Sequence, residues 1–463
     1  MQKNIWRWAV TVALGGFVFG FDTAVISGAT SIIREEWALS NLALGQMVAA
    51  ALYGTIIGAV FGGLPADKYG RKKTLIGIAV LFLLSAIGSA LAQDVFSLAA
   101  ARFIGGVGVG ASSVVAPLYI TEVAPAKHRG RLVAMFQMNL VVGILAAYFS
   151  NFIVDALGFA TSWRLMLGVE ILPALAFLYL LRKVPNSPRW LLTKANRPEE
   201  AKAVLDLIYP HSDITINNQR DEAVRQFDLI QKADESDQTI ALGTFFSRKY
   251  RRPITYAFLF ALFNQISGIN AVIYFAPDIF AAAGLERSAA LLSSVGIGII
   301  NVAFTLLGLY LIDRAGRKLL MYIGSLGYIV SLSLIAYAFL SGNGTHLVPL
   351  WVFAFIASHA IGQGAVIWVF LSEIFGNEVR SLGASLGSAT HWVFAALIGG
   401  NFPYLVSLFG EGMIFAVFAV CMVGQLVWVH FVMPETKGVD LEILQRELEG
   451  GRVQDASLLD ASL

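Results

Sequence analysis

With a single cysteine, Cys421, the chain can close no internal disulfide and offers no CxxC pair to a metal or a redox centre. Charge is scarce too: 14% of residues are charged, where soluble domains carry about a quarter. The net charge of +2 gives no general attraction to nucleic acid, and the basic residues form short clusters between apolar stretches. A Walker A lysine motif is missing, which argues against an ATP-driven pump. The run Gly106-Val-Gly108-Val-Gly110-Ala imitates a GxGxxA fingerprint, but no strand precedes it, so it is not a dinucleotide site. No His/Glu/Asp spacing suggests a metal, and no cofactor is implied.

What the chain has is apolar length. Hydrophobic residues make up 57% of it, and a membrane-spanning helix needs about 20 mostly apolar residues. Twelve such runs lie near 6–28, 41–64, 74–93, 97–120, 131–154, 163–183, 253–276, 288–312, 319–341, 347–371, 380–408 and 411–433. The expected fold class is an all-α membrane protein. The start of the chain reads as the first span and not as a removed signal peptide. Short connections after the second and fourth runs carry Lys68, Arg71, Lys72, Lys73, Lys127, Arg129 and Arg131, whereas those after the first, third and fifth carry only Arg34. The positive-inside bias then puts both termini and the even loops in the cytoplasm.

The chain also repeats itself. Asp67-Lys-Tyr-Gly-Arg71-Lys returns as Asp313-Arg-Ala-Gly-Arg317-Lys, Glu122 precedes Arg129 as Glu373 precedes Arg380, and Pro185-Asn-Ser-Pro-Arg189 answers Pro434-Glu-Thr-Lys437, at offsets of 246, 251 and 249 residues. Three signatures in one order at near-constant separation indicate two homologous halves. The expected domains are a six-helix bundle over 1–183, a polar cytoplasmic linker over 184–252, a second bundle over 253–433 and a cytoplasmic tail over 434–463. In the linker, 198–208 and 221–230 read as short amphipathic helices, and the tail reads as an acidic helix over 441–449. This is the architecture of an alternating-access transporter with its substrate site between the halves.

Ionisable groups at membrane depth are costly and default to function. Asp22 ends a long apolar run, and Arg102, at the start of the Gly-rich fourth span, is its natural partner. An ionised Asp22 would hold Arg102 and a protonated one would release it, linking a proton to helix packing, while a permanent structural pair is the alternative. Glu170 in the sixth run is a second candidate, or a residue that merely pairs with a neighbouring helix. Gly106 and Gly110 form a small-xxx-small packing face. Gln137, Asn264, Gln265, Asn270, Asn301, Trp368, His391 and Trp392 concentrate on a few helices. Amides suit vicinal hydroxyls and indoles stack on sugar rings, so the set reads as a polyol site, with interhelical glue as the alternative. Gly268, Gly362 and Gly364 loosen the seventh and tenth runs beside it. Asp67, Arg71, Glu122, Arg129, Arg189, Asp313, Arg317, Glu373 and Arg380 are expected to latch the cytoplasmic side, with Glu122 facing Arg129 and Glu373 facing Arg380, joined when that side is shut and parted when it opens.

The motifs Gly20-Phe-Asp-Thr-Ala-Val-Ile-Ser-Gly28, Pro117-Leu-Tyr-Ile-Thr-Glu122, Pro188-Arg-Trp-Leu191, Gln265-Ile-Ser-Gly-Ile-Asn270 and Ser372-Glu-Ile-Phe375, with the repeats above, resemble the sugar porter family of the major facilitator superfamily over nearly the whole chain. In look they are nearest to bacterial proton-coupled symporters. The resemblance implies two six-helix bundles, rocker-switch alternation and a central monosaccharide site on Gln137, Gln265, Asn270, Asn301, Trp368 and Trp392, with Phe19 and Tyr274 lining or gating it. It also implies proton coupling on Asp22, Arg102 and Glu170. Asn264 and His391 stand where amides of other reach are common, Ala365 replaces a proline and Asn186 an acid; the sugar is left open. The expected function is monosaccharide and proton symport, not catalysis, by a monomer in a bacterial inner membrane; a facilitative uniporter or a non-transporting sugar sensor are the alternatives.

Overall fold

The computed structural model describes residues 3–125, 128–159, 162–209, 242–376 and 378–439, with Arg225, Phe227, Asp228, Ile230, Leu444 and Leu448. Every regular element among them is helical. In hydrocarbon each unpaired backbone group costs several kcal/mol, and a helix satisfies its own.

Eleven of these helices are long and apolar enough to cross a membrane, but they hold twelve spans. Helix Arg380–Phe431 has 52 residues; straight, it would measure about 78 Å against a hydrocarbon core of ~30 Å. It folds back at Gly410, whose φ of 76° and ψ of 158° leave the helical region. Phe402 and Phe415 consequently approach to 6.4 Å between ring centroids, where a straight helix would part them by about 20 Å. The eleventh and twelfth spans are thus the two arms of one hairpin.

Three spans are broken. The sixth divides into Ser162–Gly168 and Ile171–Leu181, with Glu170 at the junction. The seventh divides into Arg251–Ile266 and Ile269–Ala282 around Gly268, at a left-handed φ of 84°, and kinks again at Phe275, two residues before Pro277. The tenth divides into Val348–Ile361 and Gln363–Glu373 at Gly362. The breaks at Gly268 and Gly362 lie where the glycines pointed; that in the sixth span was not expected, although Gly168 and Pro173 flank it.

Spans one to six and seven to twelve form two bundles. In the first, Asn41–Phe61 packs on Val95–Val123 and Lys3–Val25 on Arg129–Ala156; in the second, Arg317–Ser341 packs on the hairpin and Arg287–Ala315 on the tenth span. A side chain at Gly106 or Gly110 would strike the Ala51 or Thr55 carbonyl, so that face serves helix contact. The bundles meet along the second and eleventh spans and along the fifth and eighth. Pseudo-symmetry reaches individual bonds. Lys72 Nζ donates to the Arg182 carbonyl at 3.1 Å, and Lys318 Nζ to the His430 carbonyl at 3.2 Å, each closing the end of its own bundle's sixth span.

The face where helix Lys3–Val25 begins and the twelfth span ends, here the terminal face, also carries helix Pro198–Ile208. It starts with proline and two glutamates, as the dipole favours, and buries Ala201, Val204, Leu205 and Ile208. The expected helix over 221–230 lies mostly outside the described residues; Arg225, Phe227, Asp228 and Ile230 are helical. The expected tail helix over 441–449 lies outside them except for Leu444 and Leu448, which join the apolar core of the second bundle.

Candidate functional site

Asp22 lies in the last turn of Lys3–Val25 and Arg102 in the second turn of Val95–Val123. Arg102 Nη1 donates to Asp22 Oδ1 at 2.6 Å and Nη2 to the Asp22 carbonyl at 2.9 Å, with both side chains 1% exposed. Glu170 is buried at the break of the sixth span, near this pair, and its Oε1 has no partner. One guanidinium and two carboxyls thus share a dry region of the first bundle.

The polar residues of the second bundle meet across the broken seventh span. Gln265 Nε2 donates to Asn264 Oδ1 at 2.9 Å and contacts the His391 ring nitrogens at 3.0 and 3.2 Å. Asn270 Nδ2 donates back to Gln265 Oε1 at 2.7 Å, a bond that the left-handed turn at Gly268 makes geometrically possible. The His391 ring lies 5.3 Å from Trp368 and 4.8 Å from Trp392, and Trp392 lies 5.8 Å from Phe19 of the first bundle. The Trp392 indole N–H is buried with no acceptor, and Trp368 is 39% exposed. An unspent donor, an open indole face and bonded amides suit a molecule with several hydroxyls. Asn301 is buried and accepts from Thr305 at 3.3 Å; Gln137 is half-buried and Tyr274 buried, and no bond ties these three to the others.

The charged turns of the terminal face pair their arginines with other acids than the seven-residue spacing singled out. Glu122 pairs with Arg71, at 2.9 Å, and not with Arg129, which is exposed. Glu373 pairs with Arg317, at 2.7 Å, while Arg380 keeps Nε and one Nη without a partner. Arg71 also reaches Asp67, at 3.0 Å, and Arg317 reaches Asp313, at 3.4 Å. The reason is the turn: Gly70 and Gly316, at φ 93° and 90°, set each arginine in the first turn of the next span, facing the acid that ends the fourth or tenth. Every one of these pairs joins helices of one bundle, and the Glu122–Arg129 and Glu373–Arg380 contacts expected when this side is shut are not made here. Arg189 is exposed; its neighbour Trp190 makes the contact, donating to the Asp67 carbonyl at 2.8 Å. In the second bundle, burial pushes the Glu435 carboxyl up, but the backbone N–H groups of Lys437, Lys318, Arg317 and Thr436 outweigh it and hold it below the ordinary glutamate value.

Bonds between the bundles lie at the opposite face, in residues the sequence left without a role. Arg287 donates to Asp155 at 2.8 Å, to Ser31 at 2.7 Å and to the Gly28 carbonyl at 3.2 Å. Thr30 donates to Asp278 at 2.7 Å, Tyr148 to the Ile273 carbonyl at 2.8 Å and Gln46 to the Gly400 carbonyl at 3.2 Å. Single polar residues, most of them near helix ends, carry no periodicity, so only their juxtaposition identifies them.

Residues 8–448 match the family model described as "Sugar (and other) transporter". The arabinose-proton symporter of Bacillus subtilis (strain 168) is 35% identical over 440 residues, 94% of this chain and 92% of that protein. The xylose transporter XylE from E. coli, in a partially occluded inward open conformation, aligns with a TM-score of 0.83 at 31% identity over 95% of this chain and 100% of that one. The proton:xylose symporter XylE bound to 6-bromo-6-deoxy-D-glucose, a major facilitator superfamily protein, gives 0.77 at 32% over 96% and 99%. Two bundles of six spans, matching signatures at corresponding turns of each repeat and likeness along the whole chain place this membrane protein in the sugar porter family of the major facilitator superfamily.

Proposed function

We propose that this protein imports a monosaccharide, a hexose or a pentose, together with a proton across a bacterial cytoplasmic membrane by alternating access. The observation that carries the reading is the buried Arg102 guanidinium held by Asp22 beside the Glu170 carboxyl. It accompanies whole-chain likeness to an arabinose-proton symporter and to a proton:xylose symporter. The basic loops make the terminal face cytoplasmic, with both chain ends on that side. The working unit is one chain, divided into bundles over 1–183 and 253–433 with a linker over 184–252 and a tail from 434.

In this cycle a proton taken from outside neutralises the carboxyl pair and loosens Arg102. The sugar is then taken up by Gln265, Asn270, His391 and Trp392 with Trp368, Asn264, Asn301 and Gln137, and Phe19 and Tyr274 close over it. The inter-bundle bonds of Arg287 and Thr30 seal the outer side. Sugar and proton leave inward, and re-formation of the Asp22–Arg102 pair resets the carrier. The Arg71 and Arg317 clusters act as braces that keep each bundle rigid while the two rock.

The test is Asp22→Asn in proteoliposomes. Counterflow of sugar is expected to persist while accumulation driven by a pH jump is lost; accumulation at the wild-type level would remove Asp22 from coupling. The completeness of the Asp22–Arg102 pair favours one second reading, a uniporter in which it never parts. Sugar-induced alkalinisation of the medium by intact cells separates the two, since a uniporter produces none.

A further inference from the structure

The tenth span bends at Gly362, where φ is −83° and ψ −103°, although its only proline, Pro349, lies at its start. A glycine lowers helix propensity by about 1 kcal/mol but does not itself dictate a bend. The next side chain is held from two sides. Gln363 is fully buried; its Nε2 donates to Gln425 Oε1 of the twelfth span, and its Oε1 accepts from the Tyr328 hydroxyl of the ninth at 3.2 Å. Gln425 Nε2 donates onward to Ser325 Oγ at 2.8 Å, and Ser325 to the Met321 carbonyl at 2.7 Å. The Tyr328 hydroxyl also meets His359 Nδ1, one turn before the bend. The backbone closes in as well: a Cβ at Gly362 would lie 2.9 Å from Gly324 Cα.

The bend has leverage on the pocket. Trp368 follows Gln363 by five residues on the same short helix, and its ring faces His391. Six residues separate Trp368 from Gly362, about 9 Å along the helix, so a 10° change at Gly362 moves the Trp368 backbone by about 1.6 Å. Misplacement on that scale is enough to cost a binding site one to two orders of magnitude.

We propose that Gln363 is a positioning residue for the sugar: anchored to Gln425 and Tyr328, it fixes the bend at Gly362 and with it the place of Trp368 in the pocket. The inference rests on the transport reading, and the competing account is that the amides only glue the ninth, tenth and twelfth spans together.

The full chain in proteoliposomes separates these accounts, with D-glucose, D-xylose and L-arabinose as probes and thermal unfolding read in parallel. Gln363→Leu is expected to raise the half-saturating concentration of the transported sugar about tenfold and to lower the unfolding temperature, because Gln425 loses its partner. Gln363→Leu/Gln425→Leu removes both amides, and Ser325 and Tyr328 keep their other bonds; its unfolding temperature is expected to recover while the half-saturating concentration stays high. Recovery of both in the double variant, or an unchanged half-saturating concentration in Gln363→Leu, would overturn the proposal. Wild-type protein that takes up none of the three sugars would instead sink the transport reading, and the proposal with it, before any variant is compared.

Discussion

Glu435 accepts four backbone N–H groups, those of Arg317 and Lys318 at 3.0 and 2.9 Å and those of Thr436 and Lys437 at 2.9 and 3.0 Å. Two of these donors open the ninth span, so the side chain acts as its N-cap from the far end of the bundle; such a cap is worth about 1 kcal/mol. Glu435→Ala is expected to lower the unfolding temperature by a few degrees. Because the folded carboxyl lies below its ordinary value, its contribution is whole at neutral pH and disappears as pH falls through the folded value. Unfolding scans of wild type and variant should therefore converge on acidification. The Asp22–Arg102 pair obeys a harsher rule, because removing one partner strands a buried charge. Arg102→Leu is expected to cost about 3–5 kcal/mol, and Asp22→Asn/Arg102→Leu to recover most of it, as unfolding temperatures would report. Asp22 and Arg102 were legible because charge is rare at membrane depth. Arg287, Asp155 and Thr30 were not, because polar residues at helix ends are ordinary.

At the scale of the element, the break in the seventh span carries the site. Gly268 holds a left-handed backbone, and a side chain there would run into the Phe418 ring. Gly268→Ala is expected to cost at least about 1–2 kcal/mol and to misalign Asn270 with Gln265. Equilibrium sugar binding should weaken along with the unfolding temperature, and a variant that binds normally would place the polyol site elsewhere. This break and the one at Gly362 could be read from glycine within an apolar run, since glycine is the residue that tolerates such backbone. The bond that holds the second bend could not, because Gln363 and Gln425 are 62 residues apart. The hairpin of the last two spans was legible from length alone, as 52 residues exceed any single crossing.

At the scale of the molecule, the direction of opening rests on which face holds the inter-bundle bonds. The bonds of Arg287, Thr30, Tyr148 and Gln46 all lie opposite the terminal face. Arg287→Ala removes three of them at once, and hydrogen bonds to charged groups are worth about 1.5–3 kcal/mol each. The equilibrium should shift toward opening of that face. With Ser27→Cys as a reporter in a Cys421→Ser background, labelling by an impermeant maleimide is expected to accelerate about tenfold or more. An unchanged rate would mean that the helix contacts, and not these bonds, seal the face.

From its order of residues alone, this chain is committed to helices, to a bilayer, to twelve crossings and to a doubled plan. Apolar length, charge scarcity and repeated signatures are local or periodic properties that survive without coordinates. Partnership needed the folded molecule. That Glu122 meets Arg71 and not Arg129, that Arg102 meets Asp22, and that Arg287 ties Asp155 and Ser31 across the two bundles are facts about groups far apart in the chain. Spacing along a helix gives the face a side chain occupies, but the neighbour on that face is supplied by another span, whose position is fixed only when both bundles have packed.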